Sequence, residues 1–273
     1  MILTDALELK EAHLRTTIRD LESCLVAFSG GIDSALVLAI ATAELGERAS
    51  GVTARSESLA GGELEGALAF ADSIAARHDV LATHELDDPN YAANPRDRCY
   101  YCKKELYGRL AGMAREKNVR WIVDGFNLDD ASDWRPGRRA AAEFGVRSPL
   151  AEAGLAKADV RALARKLGLE IWDKPALACL SSRFPYGTEI TLELLRRVDA
   201  AEQAVRAAGI RVCRVRHHGE VARLEIPPDE FARALEPGVR SALIAGVKAA
   251  GYRFVALDLG GYVSGNLNTE PHA

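Results

Sequence analysis

The fold is decided by residues 24–45, CLVAFSGGIDSALVLAIATAEL. Cys24 to Phe28 is a short, wholly apolar run, as expected of a strand covered on both faces. It gives way to Ser29-Gly30-Gly31-Ile32-Asp33-Ser34, after which the apolar residues of 35–45 predict a helix. Two adjacent glycines let the backbone turn sharply and bring bare N–H groups close to an anion. The helix adds unpaired amides and the positive end of its dipole, and Ser29 and Ser34 offer hydroxyl donors. Asp33 repels a phosphate by itself, so its natural partner is a magnesium ion or the amides that shape the loop. A Gly-Gly pair alone is a plain capped turn; the apolar strand before it and the apolar helix after it point to a phosphate loop.

Outward from this unit, the hydrophobic pattern predicts an amphipathic helix over 4–21, strands over 49–54, 80–86 and 120–124, and helices over 63–77 and 103–117. Strand and helix alternate, so the first part is an α/β domain with a parallel, helix-covered sheet. A loop-rich stretch over 127–147 and a helix over 157–167 close it. Beyond the Pro185-Tyr186-Gly187 turn the texture changes to a helix over 191–208, two alternating strands over 212–217 and 221–226, helices over 229–236 and 239–250, and a strand over 254–259. This grouping reads as a smaller α+β domain, with the boundary near residue 187: 1–187 and 188–273.

The chain has 273 residues, 48% hydrophobic and 27% charged, which excludes a disordered chain. A net charge of −4 argues against wholesale coating of nucleic acid and leaves room only for a local basic groove. The longest apolar run, residues 35–43, is far short of the roughly 18–20 residues a bilayer requires. The first twenty residues lack the basic-then-apolar order of a signal peptide. Five irregularly spaced cysteines fit a reducing compartment better than a disulfide framework. The expectation is a cytoplasmic protein without a membrane segment.

The loop contains no GKS or GKT and no GxGxxG. SGGxDS after the first strand resembles the PP-loop of the ATP pyrophosphatases, a Rossmann-like superfamily that includes GMP synthetase, NAD synthetase, argininosuccinate synthetase and tRNA-thiolating enzymes. These cleave ATP between the α and β phosphates and pass AMP to an oxygen of the substrate. The resemblance implies ATP as nucleotide and pyrophosphate held by Ser29, Gly30, Gly31, Asp33 and Ser34. It also implies that the backbone around Thr53 faces the adenine, and that the segment Asp124-Gly125-Phe126-Asn127-Leu128-Asp129-Asp130 completes the nucleotide site. Paired carboxylates beyond a parallel strand, Asp129 and Asp130, can hold Mg²⁺ alongside Asp33; a solvated Asx turn would show the same residues.

Cys99-Tyr100-Tyr101-Cys102 is a CxxC at a helix start, and Cys179 lies in ACLSSR. The pair is compatible with redox chemistry, half a zinc site, or two ligands of an iron–sulfur cluster. No second CxxC or paired His supports a four-ligand zinc site. Cys24 and Cys213 sit in apolar or alternating strands and read as core residues. Arg98 and Lys103 flank the pair and can lower thiolate pKa values or neutralise phosphate, or be ordinary surface charge. Arg214 and Arg216 alternate on a strand and so share a face; two adjacent guanidiniums call for an anion between them. His217 and His218 have no metal-ligand spacing with other histidines.

Taken together, SGGIDS, ARSESL, NPRDRCYYCKKELY, DGFNLDD, KPALACLSSRFPYGTEIT and RVRHHGEVARLE resemble the LarE family over nearly the whole chain. That family consists of ATP-dependent sulfur transferases of nickel-pincer nucleotide biosynthesis, serving lactate racemase. The resemblance implies adenylation of a carboxylate of pyridinium-3,5-biscarboxylic acid mononucleotide, followed by replacement of AMP with sulfur to give a thiocarboxylate. One branch sacrifices the sulfur of a single cysteine at the ACLSSR position. Another holds a [4Fe-4S] cluster on three cysteines, whose open iron carries sulfide. Cys99, Cys102 and Cys179 match the three-cysteine branch. By the same resemblance Glu202, Arg214 and Arg216 match a substrate or phosphate site at a subunit contact in a homo-oligomer, with a hexamer as the form suggested. Arg183 is then a contact for substrate charge. The family usually has an arginine after Gly-Tyr near the C-terminus, where this chain has Val263. The alternatives are a tRNA thiolase of the same superfamily, disfavoured by the missing basic surplus and RNA module, an ammonia-using synthetase, and a nucleotide-sensing module.

Overall fold

The computed structural model describes residues 2–132, 135–174 and 178–263. Of the motif around Cys179, residues 175–177 lie outside the described set. Two compact units emerge: the first comprises residues 1–56, 62–85 and 97–176, the second 57–61, 86–96 and 177–273. The expected single cut near residue 187 thus falls inside the second unit, which also takes in two short segments from the first half.

The first unit is built on strands β1 (Cys24–Ala27), β2 (Ala49–Arg55), β3 (His78–Ala82) and β4 (Trp121–Val123), all parallel, in the order β3-β2-β1-β4. Side chains alternate across a strand, so β1 feeds two cores. Cys24 and Val26 join Leu14, Ile18, Leu36, Ile40, Val160 and Leu163 from helices Ile2–Arg19, Ile32–Leu45 and Lys157–Lys166. Leu25 joins Val52, Tyr107, Leu110, Ile122 and Ala140 on the opposite face, under helices Arg98–Glu116 and Gly137–Glu143. Covering both faces is what lets a parallel sheet tolerate an uninterrupted apolar run. Truncating a fully buried Leu36 or Leu38 to Ala would cost about 2–5 kcal/mol.

Three elements differ from expectation in ways that matter. β3 begins at His78, not Val80, and ends at Ala82, with a tight turn over Glu85–Asp87. Polar His78 and Asp79 belong to the strand because they bond sideways: His78 Nε2 lies 2.8 Å from Thr53 Oγ1, and Ser50 Oγ donates to Asp79 at 3.1 Å. Gly51 makes room, since a Cβ there would stand 2.8 Å from Leu38 and 3.1 Å from His78. The helix predicted from residue 103 starts at Arg98, with Asp97 at the N-cap position but no side-chain capping bond, and so contains both Cys99 and Cys102. The helix expected over 63–77 stops at Ser73, where the chain turns through a left-handed Ala75 (φ 51°).

The second unit carries an antiparallel pair, β5 (Arg214–His218) and β6 (Val221–Glu225), with β7 (Phe254–Leu257) parallel to β6. Helices Phe231–Leu235 and Pro237–Ala249 make that parallel crossover. Helix Leu192–Ala207, capped by Thr191 Oγ1 on the Leu194 amide (3.2 Å), buries Leu195, Val198, Ala201, Glu202 and Val205. Among the described residues no helix is long and apolar enough to cross a membrane.

Candidate active site

The phosphate loop of the first unit sits at the carboxyl end of β1, where a parallel sheet presents its ligands. Gly30 takes a left-handed conformation (φ 73°), which allows the sharp turn. Gly31 caps helix Ile32–Leu45 without a side-chain partner, leaving its first amides for an anion. The two serines brace the loop: Ser34 Oγ lies 3.2 Å from Ser29 Oγ, accepts from the Ser29 amide (3.2 Å) and donates to the Gly31 carbonyl (3.1 Å). Thr53 is buried and donates to the Phe28 carbonyl (2.8 Å), tying β2 to the strand that carries the loop.

The segment after β4 locks against this loop. At Gly125 a Cβ would stand 2.5 Å from the Ser34 nitrogen and 2.9 Å from the Asp33 carbonyl carbon, so only glycine fits without moving the loop. Buried Asn127 donates to Asp33 Oδ1 (3.1 Å) and accepts from the Asp129 amide (3.0 Å). Asp129 Oδ2 accepts from the Lys157 amide (2.8 Å), capping the helix that begins there. Burial raises the Asp130 carboxyl above its ordinary value, with Asp33 adding to the effect, while the Asn127 amide and Arg135 oppose it. The carboxylates of Asp33, Asp129 and Asp130 are hard oxygen donors of the kind Mg²⁺ takes.

Two cations that sequence reasoning missed reach the loop. Lys157 Nζ pairs with Asp33 Oδ2, and Lys174 Nζ donates to the Gly30 carbonyl (3.1 Å) and Glu63 (2.9 Å). They lie 124 and 144 residues from their loop partners, so no local pattern announces them.

A chain of contacts leads from the nucleotide segment toward the cysteine pair. Asp124 accepts from Ser148 Oγ (2.7 Å) and, on its other oxygen, from the Tyr107 hydroxyl (3.2 Å). Lys103 lies over the Tyr107 ring at 5.6 Å. Tyr107 foremost, then Cys102, Asp124 and Cys99, hold the Lys103 ammonium above its usual range, so it stays charged beside the thiols. Burial pushes the Tyr107 hydroxyl up to about 12. Cys99 is exposed in the first turn of the helix, and half-buried Cys102 follows at the start of the second. Arg98, read from the sequence as a neighbour that tunes the thiols or neutralises phosphate, or else as ordinary surface charge, is buried. The remaining pair behaves as expected of core residues: burial pushes the thiols of Cys24 and Cys213 up to about 12.

In the second unit exposed Cys179 precedes a tight turn, Leu180–Arg183. Arg183 and Glu202 form a buried two-pronged ion pair (2.7 and 3.0 Å), and Arg206 adds a third contact to Glu202 (2.9 Å). Arg216 is buried against Glu225 (2.7 Å) and donates to the Ser182 carbonyl (2.6 Å). Glu225, which the sequence reading did not single out, is therefore the anion facing Arg216. Arg214 lies against Tyr262, donating to its hydroxyl at 3.2 Å. Burial lowers its pKa, and Arg183 and Arg216 add to that, while Tyr262 and Glu202 oppose it. His217 bonds the Tyr252 hydroxyl (3.1 Å) inside an aromatic cluster with Phe184, a packing role. Val263 is exposed.

Among the described residues no group of three or more His, Cys, Asp or Glu is arranged to hold a metal ion, and none of the five cysteines is in a disulfide. A cavity of about 600 Å³ opens at the amino-terminal edge of the sheet, near Ser50, His78 and Lys117, at the end opposite the phosphate loop.

Comparison with known proteins finds relatives over most of the chain. The asparagine synthase family model matches residues 8–97, the stretch that holds the phosphate loop and the first three strands. The chain is 45% identical over 262 residues to an uncharacterized protein of Synechocystis, covering 96% of this chain and 98% of that one. It is 40% identical over 260 residues to the pyridinium-3,5-bisthiocarboxylic acid mononucleotide synthase of Lactiplantibacillus plantarum, covering 95% and 94%. An uncharacterized protein of Methanocaldococcus jannaschii is 30% identical over 235 residues, 86% and 88% of the two chains.

Proposed function

The chain belongs to the LarE family, and on that premise we propose that it is an ATP-dependent sulfur transferase acting on pyridinium-3,5-biscarboxylic acid mononucleotide. The observation that carries this is the phosphate loop joined, through Gly125, Asp124, Tyr107 and Lys103, to a pair of accessible cysteines. A nucleotide-activating loop and a sulfur-handling pair on one sheet edge suit one overall reaction.

In the first step a substrate carboxylate oxygen attacks the α-phosphorus of ATP, the bond to the β-phosphate breaks, and pyrophosphate leaves onto the loop. Amides of Gly30 and Gly31 and the hydroxyls of Ser29 and Ser34 receive the developing charge. Asp33 and Asp130 would hold Mg²⁺, which supplies further neutralisation of phosphate charge. In the second step hydrosulfide adds to the acyl carbon, AMP departs with the carboxylate oxygen, and a proton is released. The thiols of Cys99, Cys102 and Cys179 are a donor set chemically suited to a [4Fe-4S] cluster, which would supply an iron position for that sulfide. Lys103 keeps positive charge beside the first two thiols. Arg214, whose described side-chain partner is the Tyr262 hydroxyl, would face the substrate phosphate or the second carboxylate, with Arg216 behind it on Glu225, in a homo-oligomer in a reducing cytoplasm. The exposure of Cys179 also favours a second reading, in which its own sulfur is given up.

The test is pyrophosphate release from ATP by anaerobically reconstituted protein offered the mononucleotide or tRNA. Release with the mononucleotide alone is expected; release with tRNA alone contradicts the proposal. Brown colour after reconstitution supports the cluster, while colourless active protein with loss of sulfur from Cys179 by mass spectrometry selects the sacrificial route.

A further inference from the structure

The turn that carries Cys179 is gripped by one guanidinium from below. Arg183 has five N–H groups. Nε and one Nη2 hydrogen go to the two oxygens of Glu202 (2.7 and 3.0 Å). Both Nη1 hydrogens are shared among the carbonyls of Ala178 (2.9 Å) and Cys179 (3.2 Å) and the Ser182 hydroxyl (2.9 Å). One N–H remains for anything else, and the side chain is only 6% exposed. Glu202, itself fully buried, is fixed by Arg206 and by the Val215 amide of β5 (3.1 Å). The far side of the turn is held independently, by the Tyr91 hydroxyl on Ser181 (2.6 Å) and the Leu180 amide on the Ser58 carbonyl (2.8 Å).

From this geometry we infer that Arg183 and Glu202 form an internal strut that positions Cys179, and that Arg183 is a positioning residue and no substrate contact. A substrate anion would have to compete with a bidentate carboxylate for a buried guanidinium whose remaining donors already hold the main chain. The strut matters because sulfur must reach an activated acyl group in near-contact geometry, where a displacement of about 1 Å costs on the order of 100-fold in rate. The inference rests on the proposed sulfur transfer, and its test separates the two.

Breaking one half of a buried ion pair risks unfolding, whereas replacing both by apolar residues of similar volume is often neutral. The Arg183→Met/Glu202→Leu double variant, checked for folding by its melting curve, is compared with Arg183→Lys, which keeps the charge and loses the fork. Hydrogen exchange in the peptide over 178–184 should speed up by about 10-fold or more in both. The KM for the mononucleotide in pyrophosphate release should stay within about 3-fold of wild type, while thiocarboxylate formation falls by about 100-fold. Unchanged exchange in folded variants overturns the strut. A KM raised by about 10-fold or more makes Arg183 a substrate contact and overturns the inference too. If the wild type itself releases no pyrophosphate with the mononucleotide, the functional premise fails, and the exchange result still decides whether the strut exists.

Discussion

At the scale of the residue, Gly125 and Lys157 carry the sharpest consequences for nucleotide chemistry. Gly125 touches the backbone of Asp33 and Ser34, so Gly125→Ala must push the loop or the segment after β4. Strain of this kind costs about 1–3 kcal/mol, and the expected outcome is a rise of about 10-fold or more in the KM for ATP in pyrophosphate release. An unchanged KM would show that the loop yields freely. Lys157 neutralises Asp33 at the position where Mg²⁺ is proposed to bind. Lys157→Met removes a half-exposed ion pair of about 1 kcal/mol or less and lifts the competition for the carboxylate. Thermal unfolding should then show a larger upward shift with Mg²⁺ alone than the wild type shows; equal shifts would remove Lys157 from the metal position. Asp33, Gly30 and Gly31 could be singled out from the sequence because strand, turn and helix are contiguous. Lys157, Lys174 and Glu225 could not, because each acquires its role across the fold, from a distant element or from a neighbouring strand.

At the scale of the element, the parallel sheet was legible because β1 is apolar throughout and the pattern repeats. The start of β3 was not, since His78 and Asp79 look polar until their bonds to Thr53 and Ser50 are seen. The helix of the cysteine pair was expected five residues late, because Arg98, Cys99 and Cys102 give no apolar period; its start at Arg98 places both thiols within its first two turns. Strand β5 makes a pH-dependent contribution. Burial, then Arg197 and His218, lower the His217 pKa, so the unfolded chain binds a proton there, near pH ~6.5, that the folded chain refuses. This contribution to stability is fully present above the unfolded value and is lost as pH falls through the folded one. The melting temperature should therefore drop between pH ~7.5 and ~5.5, and drop less in His217→Asn, which can still meet the Tyr252 hydroxyl. An equally steep drop in the variant would show that His217 takes no part.

At the scale of the whole molecule, the chemistry is distributed over two units that the chain visits more than once, since residues 57–61 and 86–96 belong with the C-terminal unit. A cut read from a turn and a change in the strand-helix pattern could not find those crossings. The first unit holds the phosphate loop and the Cys99–Cys102 pair; the second holds Cys179, its arginine grip and Arg214. The proposed reaction has two half-reactions, activation by the loop and sulfur delivery by the cysteines, and the residues assigned to each are distinct, so the two are separable by substitution. The most direct measurement is anaerobic turnover with ATP, sulfide and the pyridinium dicarboxylate mononucleotide, following pyrophosphate and thiocarboxylate together in wild type, Asp33→Ala and Cys102→Ala. Wild type should form both, Asp33→Ala should lose both by about 100-fold or more, and Cys102→Ala should keep pyrophosphate release while losing the thiocarboxylate. Equal loss of pyrophosphate release in the two variants, or thiocarboxylate formed at the wild-type rate without Cys102, would contradict this division of labour.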